Sequence, residues 1–216
     1  MVELFLDFSK LIIYVGLVIS LFALIVYRRL NPVLKPLALY LVASGCFDYL
    51  SYLFARSNQN NLQFTHLFSM LEIVLVSMFF YRLYKLVVEK VRIKEATIII
   101  LVLIIANALF LQSPGDFNSY SAMLVNFCII AYSLYSFYLM LEYKILADKV
   151  IFKWCVIGLF LYNMVDVVIN LSTEVIFEFE KSTQVIVWFS RAIIIILSKL
   201  IITGSIAIDY FSSEKG

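Results

Sequence analysis

The chain has 216 residues, of which 63% are hydrophobic and 15% are charged, and its formal net charge is +2. With a mean hydropathy of +0.98 it is too apolar for a water-soluble domain of this size, so we predict an integral membrane protein. An α-helix needs about 20 apolar residues to cross a bilayer. Seven such stretches occur, at Asp7–Tyr27, Leu34–Ala55, Phe64–Tyr84, Ala96–Gln112, Ser119–Leu141, Val150–Ser172 and Ser182–Tyr210. The predicted fold class is therefore all-α: residues 1–216 form a single domain of seven transmembrane helices.

The first span does not look like a cleaved signal. An acidic stretch precedes it where a secretory signal would be basic, and no small-residue cleavage site follows it. We expect this span to remain in the mature protein.

Lysine and arginine are divided unequally between the two ends of the predicted spans. One end, with the N-terminus, holds Lys10, Arg56 and Lys181. The other end holds Arg28, Arg29, Lys35, Arg82, Lys85, Lys90, Arg92, Lys94, Lys144, Lys149, Lys153 and Lys215. Because basic residues near helix ends are retained in the cytoplasm, this asymmetry predicts an outside N-terminus and a cytoplasmic C-terminus.

The basic clusters also indicate partners. They suit the anionic head groups of the bilayer at the cytoplasmic face. They lack interleaved aromatic residues, so we predict no nucleic-acid partner. The expected location is a bacterial inner (plasma) membrane.

No motif in the sequence predicts catalysis, a metal or a cofactor. The connections between spans are too short for a folded domain, and there is no phosphate-binding loop, nucleophile elbow or metal-binding motif. Cys46, Cys128 and Cys155 lie inside spans without redox or metal spacing, so we expect no disulfide.

Four charged residues interrupt the apolar spans. Asp48 lies in the second span, Glu72 in the third, Asp166 in the sixth and Arg191 in the seventh. At ~1.5 Å per residue, Glu72 lies roughly 12 Å and Arg191 roughly 13 Å from the outer end of its helix. Charged side chains in a membrane face the bundle interior and pair, so we predict that these four share one layer in the outer half.

Uncharged polar residues extend this layer. His66 is placed at the outer mouth, and Asn107, Asn126 and Asn163 lie at similar depth, whereas the inner half is mostly apolar. We predict an outward-facing ligand pocket formed by Asp48, Glu72, Asp166, Arg191, His66, Asn163, Asn107 and Asn126. A purely structural cluster, in which Arg191 pairs with one acid to hold helices together, is the alternative. We expect Lys199 of the seventh span to extend toward the cytoplasm.

The sequence hints at a duplication. Lys35 and Asp48 have the same spacing as Lys153 and Asp166. This would suit three helices, a linker helix and three more, as in parallel-repeat transporters. Lysines mark cytoplasmic helix ends in any case, so the spacing alone does not establish a repeat.

Several short motifs resemble a family of small bacterial seven-helix membrane proteins that have no established activity. They are the Asn60-Asn61 turn, His66 with Glu72 six residues on, Phe80-Tyr81-Arg82 at the end of the third span, and Asn118-Ser119-Tyr120 at the start of the fifth. The resemblance covers nearly the whole chain. It implies the seven-helix architecture and no particular function.

Three functions are compatible with these features. The first is a non-enzymatic sensor-like protein or accessory subunit that acts through another membrane protein. The second is a transporter of a small cation or zwitterion, which would need polar groups continuing to the cytoplasm. The third is an intramembrane enzyme acting on a lipid head group, for which we find no nucleophile–base pair.

Overall fold

Seven long helices make up most of the protein. The computed structural model describes residues 2–57, 59–113, 115 and 118–213, and the side chains of these residues except 2–9, 174 and 213. The long helices are α1 (Val2–Val26), α2 (Lys35–Arg56), α3 (Gln63–Tyr84), α4 (Ile93–Phe110), α5 (Ser119–Glu142), α6 (Val150–Leu171) and α7 (Lys181–Ser213). Among the described residues there is no β-strand. Lys215, counted above among the basic residues, lies outside the described residues.

The seven predicted spans are confirmed as helices, and all seven are long and apolar enough to cross a membrane. The bounds differ most for α1, which begins five residues earlier than predicted, and for α4, which is shifted by two or three residues. This composition is that of a multi-pass membrane protein.

Short helices occur in three of the connections between the long helices. A 3₁₀ turn (Tyr27–Arg29) follows α1, and two short helices (Lys144–Ala147 and Thr173–Glu178) precede α6 and α7. The chain reverses after α1 because Asn31 Oδ1 accepts a hydrogen bond from the Val33 amide at 3.0 Å. Pro36 then occupies the first turn of α2, where its missing N–H is no loss.

Six helices pack into a closed ring in the order α1–α2–α3–α5–α6–α7, with α7 returning to α1. The remaining long helix, α4, packs on the outside of this ring against α3 and α5. Its outward face shows large apolar side chains such as Ile98, Ile99 and Leu109. The ring leaves a central space bounded by helices on every side.

Small residues allow α1 and α2 to approach closely. Ser20 Oγ of α1 donates to the Leu41 carbonyl oxygen of α2 at 2.9 Å. A Cβ added to Gly45 would lie 2.0 Å from Ser20 Oγ and 2.9 Å from the Gly16 carbonyl oxygen. Close backbone approach through small residues is typical of helix pairs in membranes.

Polar contacts tie the connections together at each end of the bundle. At the end where α1 begins, Asn60 Nδ2 donates to the Gly115 carbonyl oxygen at 3.0 Å and links the α2–α3 and α4–α5 connections. At the opposite end, the backbone N–H of Asn31 donates to Asp209 Oδ2 of α7 at 2.8 Å. We call these the N-terminal and C-terminal ends of the bundle.

Candidate functional site

A polar cavity lies inside the helix ring, with a volume of about 310 Å³. We call it the ring cavity. Its walls come from α2, α3, α5, α6 and α7 and from the connection before α3, so it begins near the N-terminal end of the bundle. The lining residues used below are Phe47, Asp48, Phe64, Phe68, Ser69, Glu72, Ala122, Asn126, Tyr162, Asp166, Arg191 and Lys199.

Asp166 of α6 is the most fully bonded group in this cavity. Its Oδ1 accepts two hydrogen bonds from Arg191 of α7, from Nε at 2.7 Å and from Nη2 at 2.5 Å. Its Oδ2 accepts the amides of Asn126 at 2.9 Å and Asn170 at 3.1 Å. Four hydrogen bonds from α5, α6 and α7 therefore fix the position of this buried carboxyl group.

Arg191 is held from a second direction. The Arg191 guanidinium carbon lies 5.5 Å from the centre of the Trp188 ring, one turn earlier on α7. Stacking on an aromatic face is a common arrangement for arginine. Since its guanidinium is also bonded to Asp166, Arg191 is oriented before any ligand arrives.

A second ion pair joins α2 to α7. Lys199 Nζ lies 2.8 Å from Asp48 Oδ2, with the lysine side chain 12% exposed and the aspartate side chain 47% exposed. Our expectation that Lys199 extends toward the cytoplasm was wrong, because its flexible stem turns to Asp48 instead. A partly buried ammonium is stabilised better by a carboxylate at this distance than by an uncharged neighbour.

The Asp48–Lys199 pair also borders a second cavity, of about 330 Å³, between α1, α2 and α7. We call it the side cavity. Gly16 and Ile19 of α1 line it, and both residues of the ion pair line the side cavity and the ring cavity. The pair therefore stands at the boundary between the two spaces.

Glu72 of α3 is the third acid, and it lacks a cationic partner of its own. It is 4% exposed, and its Oε1 has no hydrogen-bond partner among the described residues. The Tyr40 hydroxyl lies beside its carboxyl group. A buried carboxyl with an unused oxygen is costly in protein, so this group is the least satisfied polar side chain in the cavity wall.

Three predicted pocket residues lie away from the ring cavity. His66 is buried on α3 but is not among the lining residues. Asn107 belongs to α4, outside the ring, and donates to Ser121 Oγ at 2.8 Å. Asn163 donates to the Leu159 carbonyl oxygen of its own helix at 2.7 Å. The structure brings together the other five, Asp48, Glu72, Asp166, Arg191 and Asn126.

The cavity contains residues that sequence reasoning did not include. Lys199 contributes a second cation, and Tyr162, Phe47, Phe64 and Phe68 contribute aromatic walls. A signal for Lys199 was present, because a lysine deep in the longest apolar helix requires an acidic partner. The phenylalanines carried no such signal, since phenylalanine is common in any apolar span.

A mostly apolar layer, which also contains the buried serines Ser77, Ser133, Ser136, Ser198 and Ser205, lies between the cavity and the C-terminal end of the bundle. Its apolar members are buried side chains from five helices of the ring. They are Leu37, Leu41, Ile73, Val76, Phe79, Phe80, Leu83, Ile129, Cys155, Val156, Leu159, Ile202 and Ile206. The polar cavity is thus placed toward one end of the molecule.

The chemistry of the described residues beyond this cavity is limited. No group of three or more His, Cys, Asp or Glu side chains in the described part of the chain is arranged to hold a metal ion. Cys46, Cys128 and Cys155 are free thiols.

Comparison with protein-family models, with curated proteins and with solved structures finds no match for this chain.

Proposed function

We propose that this protein is a non-enzymatic, sensor-like or accessory membrane subunit whose ring cavity binds a small polar ligand from outside the cell. The excess of basic residues near the C-terminal end of the bundle supports an orientation with that end in the cytoplasm, and we propose a bacterial inner membrane as the location. The ring cavity then faces outward.

The observation that supports this proposal is the one-sided polarity of the ring. Asp48, Glu72, Asp166, Arg191 and Lys199 all line one cavity of about 310 Å³. A volume of this size and a few convergent polar groups are typical of small-molecule sites. The mostly apolar layer beneath favours a pocket over a pore.

A partner protein is part of the proposal because the ring has no attached output module in its connections. The longest connection between long helices, residues 172–180, has nine residues and itself contains a short helix. No folded domain fits in such lengths. We propose that a change in the ring reaches a neighbour within the membrane, for which α4, packed outside the ring, offers an apolar surface.

One observation favours a transporter as the second candidate. In the ring order, α2 stands three places from α6 and α3 three places from α7, so the two sets of three helices oppose each other and α4 is left over. Asp48 and Asp166, which share a spacing from Lys35 and Lys153, lie on the opposed helices α2 and α6. Parallel-repeat transporters place their substrate between two such halves.

Blocking the cavity tests the pocket irrespective of the ligand's identity. Ala122 of α5 lines the ring cavity, so Ala122→Phe should fill it, whereas Ala131→Phe on the exposed side of α5 should not. We would purify both variants from native membranes in mild detergent and identify bound small molecules by mass spectrometry. The pocket predicts a molecule that accompanies the unchanged protein and Ala131→Phe but is lost from Ala122→Phe.

A flux assay separates the two candidates. For a sensor or accessory subunit, vesicles containing the protein bind the co-purified molecule without accumulating it. Uptake that Ala122→Phe abolishes would favour the transporter instead. The absence of any molecule that depends on an open cavity would contradict both.

A further inference from the structure

The ion pairs inside the ring cavity leave one carboxyl group without a charged partner. Asp166 accepts both hydrogen bonds from Arg191, and Asp48 forms an ion pair with Lys199. Arg191 and Lys199 are the cations in the cavity wall. Glu72 therefore remains as a third acid facing two cations that are already engaged.

The unused oxygen of Glu72 points to the chemistry of the ligand. This side chain is more than nine-tenths buried and lines the cavity, and its Oε1 is fully buried without a hydrogen-bond partner among the described residues. A cation in the cavity would interact favourably with this carboxyl group. An anion would have to compete with Asp166 or Asp48 for a cation that is already paired.

Aromatic side chains line the same cavity as this acid. Phe47, Phe64 and Phe68 line the cavity with Tyr162. The ring centres of Phe47 and Phe68 lie 5.7 Å apart at 52°, and those of Phe47 and Phe64 lie 6.3 Å apart at 69°. The faces of aromatic rings attract organic cations, and clusters of aromatic side chains recognise alkylated ammonium groups.

An inorganic cation fits the same wall poorly. A metal ion needs several oxygen or nitrogen ligands directed at one point. No cluster of three or more acidic, histidine or cysteine side chains among the described residues provides that arrangement. An alkylated ammonium ion matches the lining of the cavity better. Its methyl groups can contact phenylalanine side chains, and its single positive charge can face one carboxyl group.

We propose that the ring cavity binds a small organic ammonium ion, with its charge against Glu72 and its alkyl groups against Phe47, Phe64 and Phe68. This inference rests on the proposed pocket function and specifies the ligand class for it. The cavity wall holds three acids and two bases, so one acid there has no basic partner for the cation to displace.

Three probes with a similar branched shape test the charge requirement. They are tetramethylammonium, the neutral tert-butanol and the anion trimethylacetate. We would measure detergent melting and equilibrium binding with each probe, with sodium chloride at equal ionic strength as the reference. The proposal predicts saturable stabilisation by tetramethylammonium and none by the other two.

Two substitutions test the residues, and one serves as the control. Glu72→Gln should weaken tetramethylammonium binding by at least about tenfold, because a charge-assisted contact is lost. Phe68→Leu keeps the apolar volume and should weaken binding by about three- to tenfold through loss of a ring face. Glu142→Gln makes the same chemical change as Glu72→Gln at an exposed position on α5 and should leave binding unchanged. If Glu72→Gln fails to fold, Phe68→Leu still tests the aromatic wall.

Failure of this inference can be told apart from failure of the pocket. Stabilisation by tert-butanol or trimethylacetate that Ala122→Phe removes would overturn the ligand class and leave the pocket intact. Tetramethylammonium binding that is equal in the unchanged protein, Glu72→Gln and Phe68→Leu would overturn the assignment to this site. A co-purified molecule that depends on the open cavity but carries no ammonium group would also overturn it.

Discussion

Replacing Asp166 with asparagine and Glu72 with glutamine should have very different effects, although each exchange removes one carboxylate. At Asp166, Oδ2 accepts two buried amides, from Asn126 and Asn170, and Oδ1 accepts both bonds of Arg191. An asparagine has one oxygen and one NH₂ group, so it can accept on one side only. The NH₂ group of the new asparagine would then face either the two donating amides of Asn126 and Asn170 or the donating guanidinium of Arg191.

The size of the effect follows from those lost bonds. Asn170 is 7% exposed and is not among the residues that line the cavity, so its amide does not easily find water, whereas Asn126 lines the cavity. The Arg191 side chain is 27% exposed, so breaking this part-buried ion pair should cost somewhat less than the about 3–5 kcal/mol of a fully buried one. Each donor left without an acceptor adds about 1–3 kcal/mol. Glu72→Gln removes no ion pair and breaks no hydrogen bond at Oε1, so it should change the free energy of unfolding by less than about 1 kcal/mol.

Detergent melting would measure this difference. For a chain of this length, 1 kcal/mol corresponds to ~2–4 °C, so Asp166→Asn should melt roughly 10 °C lower than the unchanged protein. Glu72→Gln and the exposed Asp148→Asn, a matched control, should melt within ~3 °C of it. Equal melting temperatures for Asp166→Asn and Asp148→Asn would refute the assignment of Asp166 as a saturated buried ion.

Two further predictions concern packing and orientation. Gly45→Ala should destabilise the protein by about 1–3 kcal/mol because the added Cβ would clash with Ser20. The control Gly204→Ala has no atom within 4 Å of its added Cβ and should be neutral or stabilising by up to about 1 kcal/mol. A lower melting temperature for Gly204→Ala than for Gly45→Ala would contradict the α1–α2 packing. In a cysteine-free background, Asn60→Cys should react with a membrane-impermeant thiol reagent on intact cells, and Glu89→Cys should not. The reverse pattern would place the ring cavity on the cytoplasmic side.

Much of the fold could be predicted because spanning helices are encoded locally. Each needs a long apolar stretch, and that stretch is visible in the residues themselves. The lateral order of the helices is not visible in this way. Asn107 shows why: its depth matched the polar layer, but α4 lies outside the ring, where the residue bonds Ser121 instead of lining the cavity.

The site was harder to predict because direction matters as much as depth. Asn163 and Asp166 lie one turn apart on α6, yet only Asp166 lines the cavity, while Asn163 bonds the backbone of its own helix. Lys199 was misplaced because a long flexible side chain can extend toward either end of its helix. Its direction was decided by Asp48, a residue 151 positions away in the chain.

Accessibility of the ring cavity from outside tests the central claim most directly. Ser69 of α3 lines the cavity, whereas Ser133 is buried in α5 and is not among its lining residues. With the three native cysteines replaced, we would introduce Ser69→Cys or Ser133→Cys and treat intact cells with a membrane-impermeant trimethylammonium thiol reagent. We expect rapid modification at Ser69→Cys, slowed by tetramethylammonium and lost in the Ala122→Phe background, and none at Ser133→Cys. Failure to modify Ser69→Cys from outside, with modification in inverted vesicles, would contradict an outward-facing pocket.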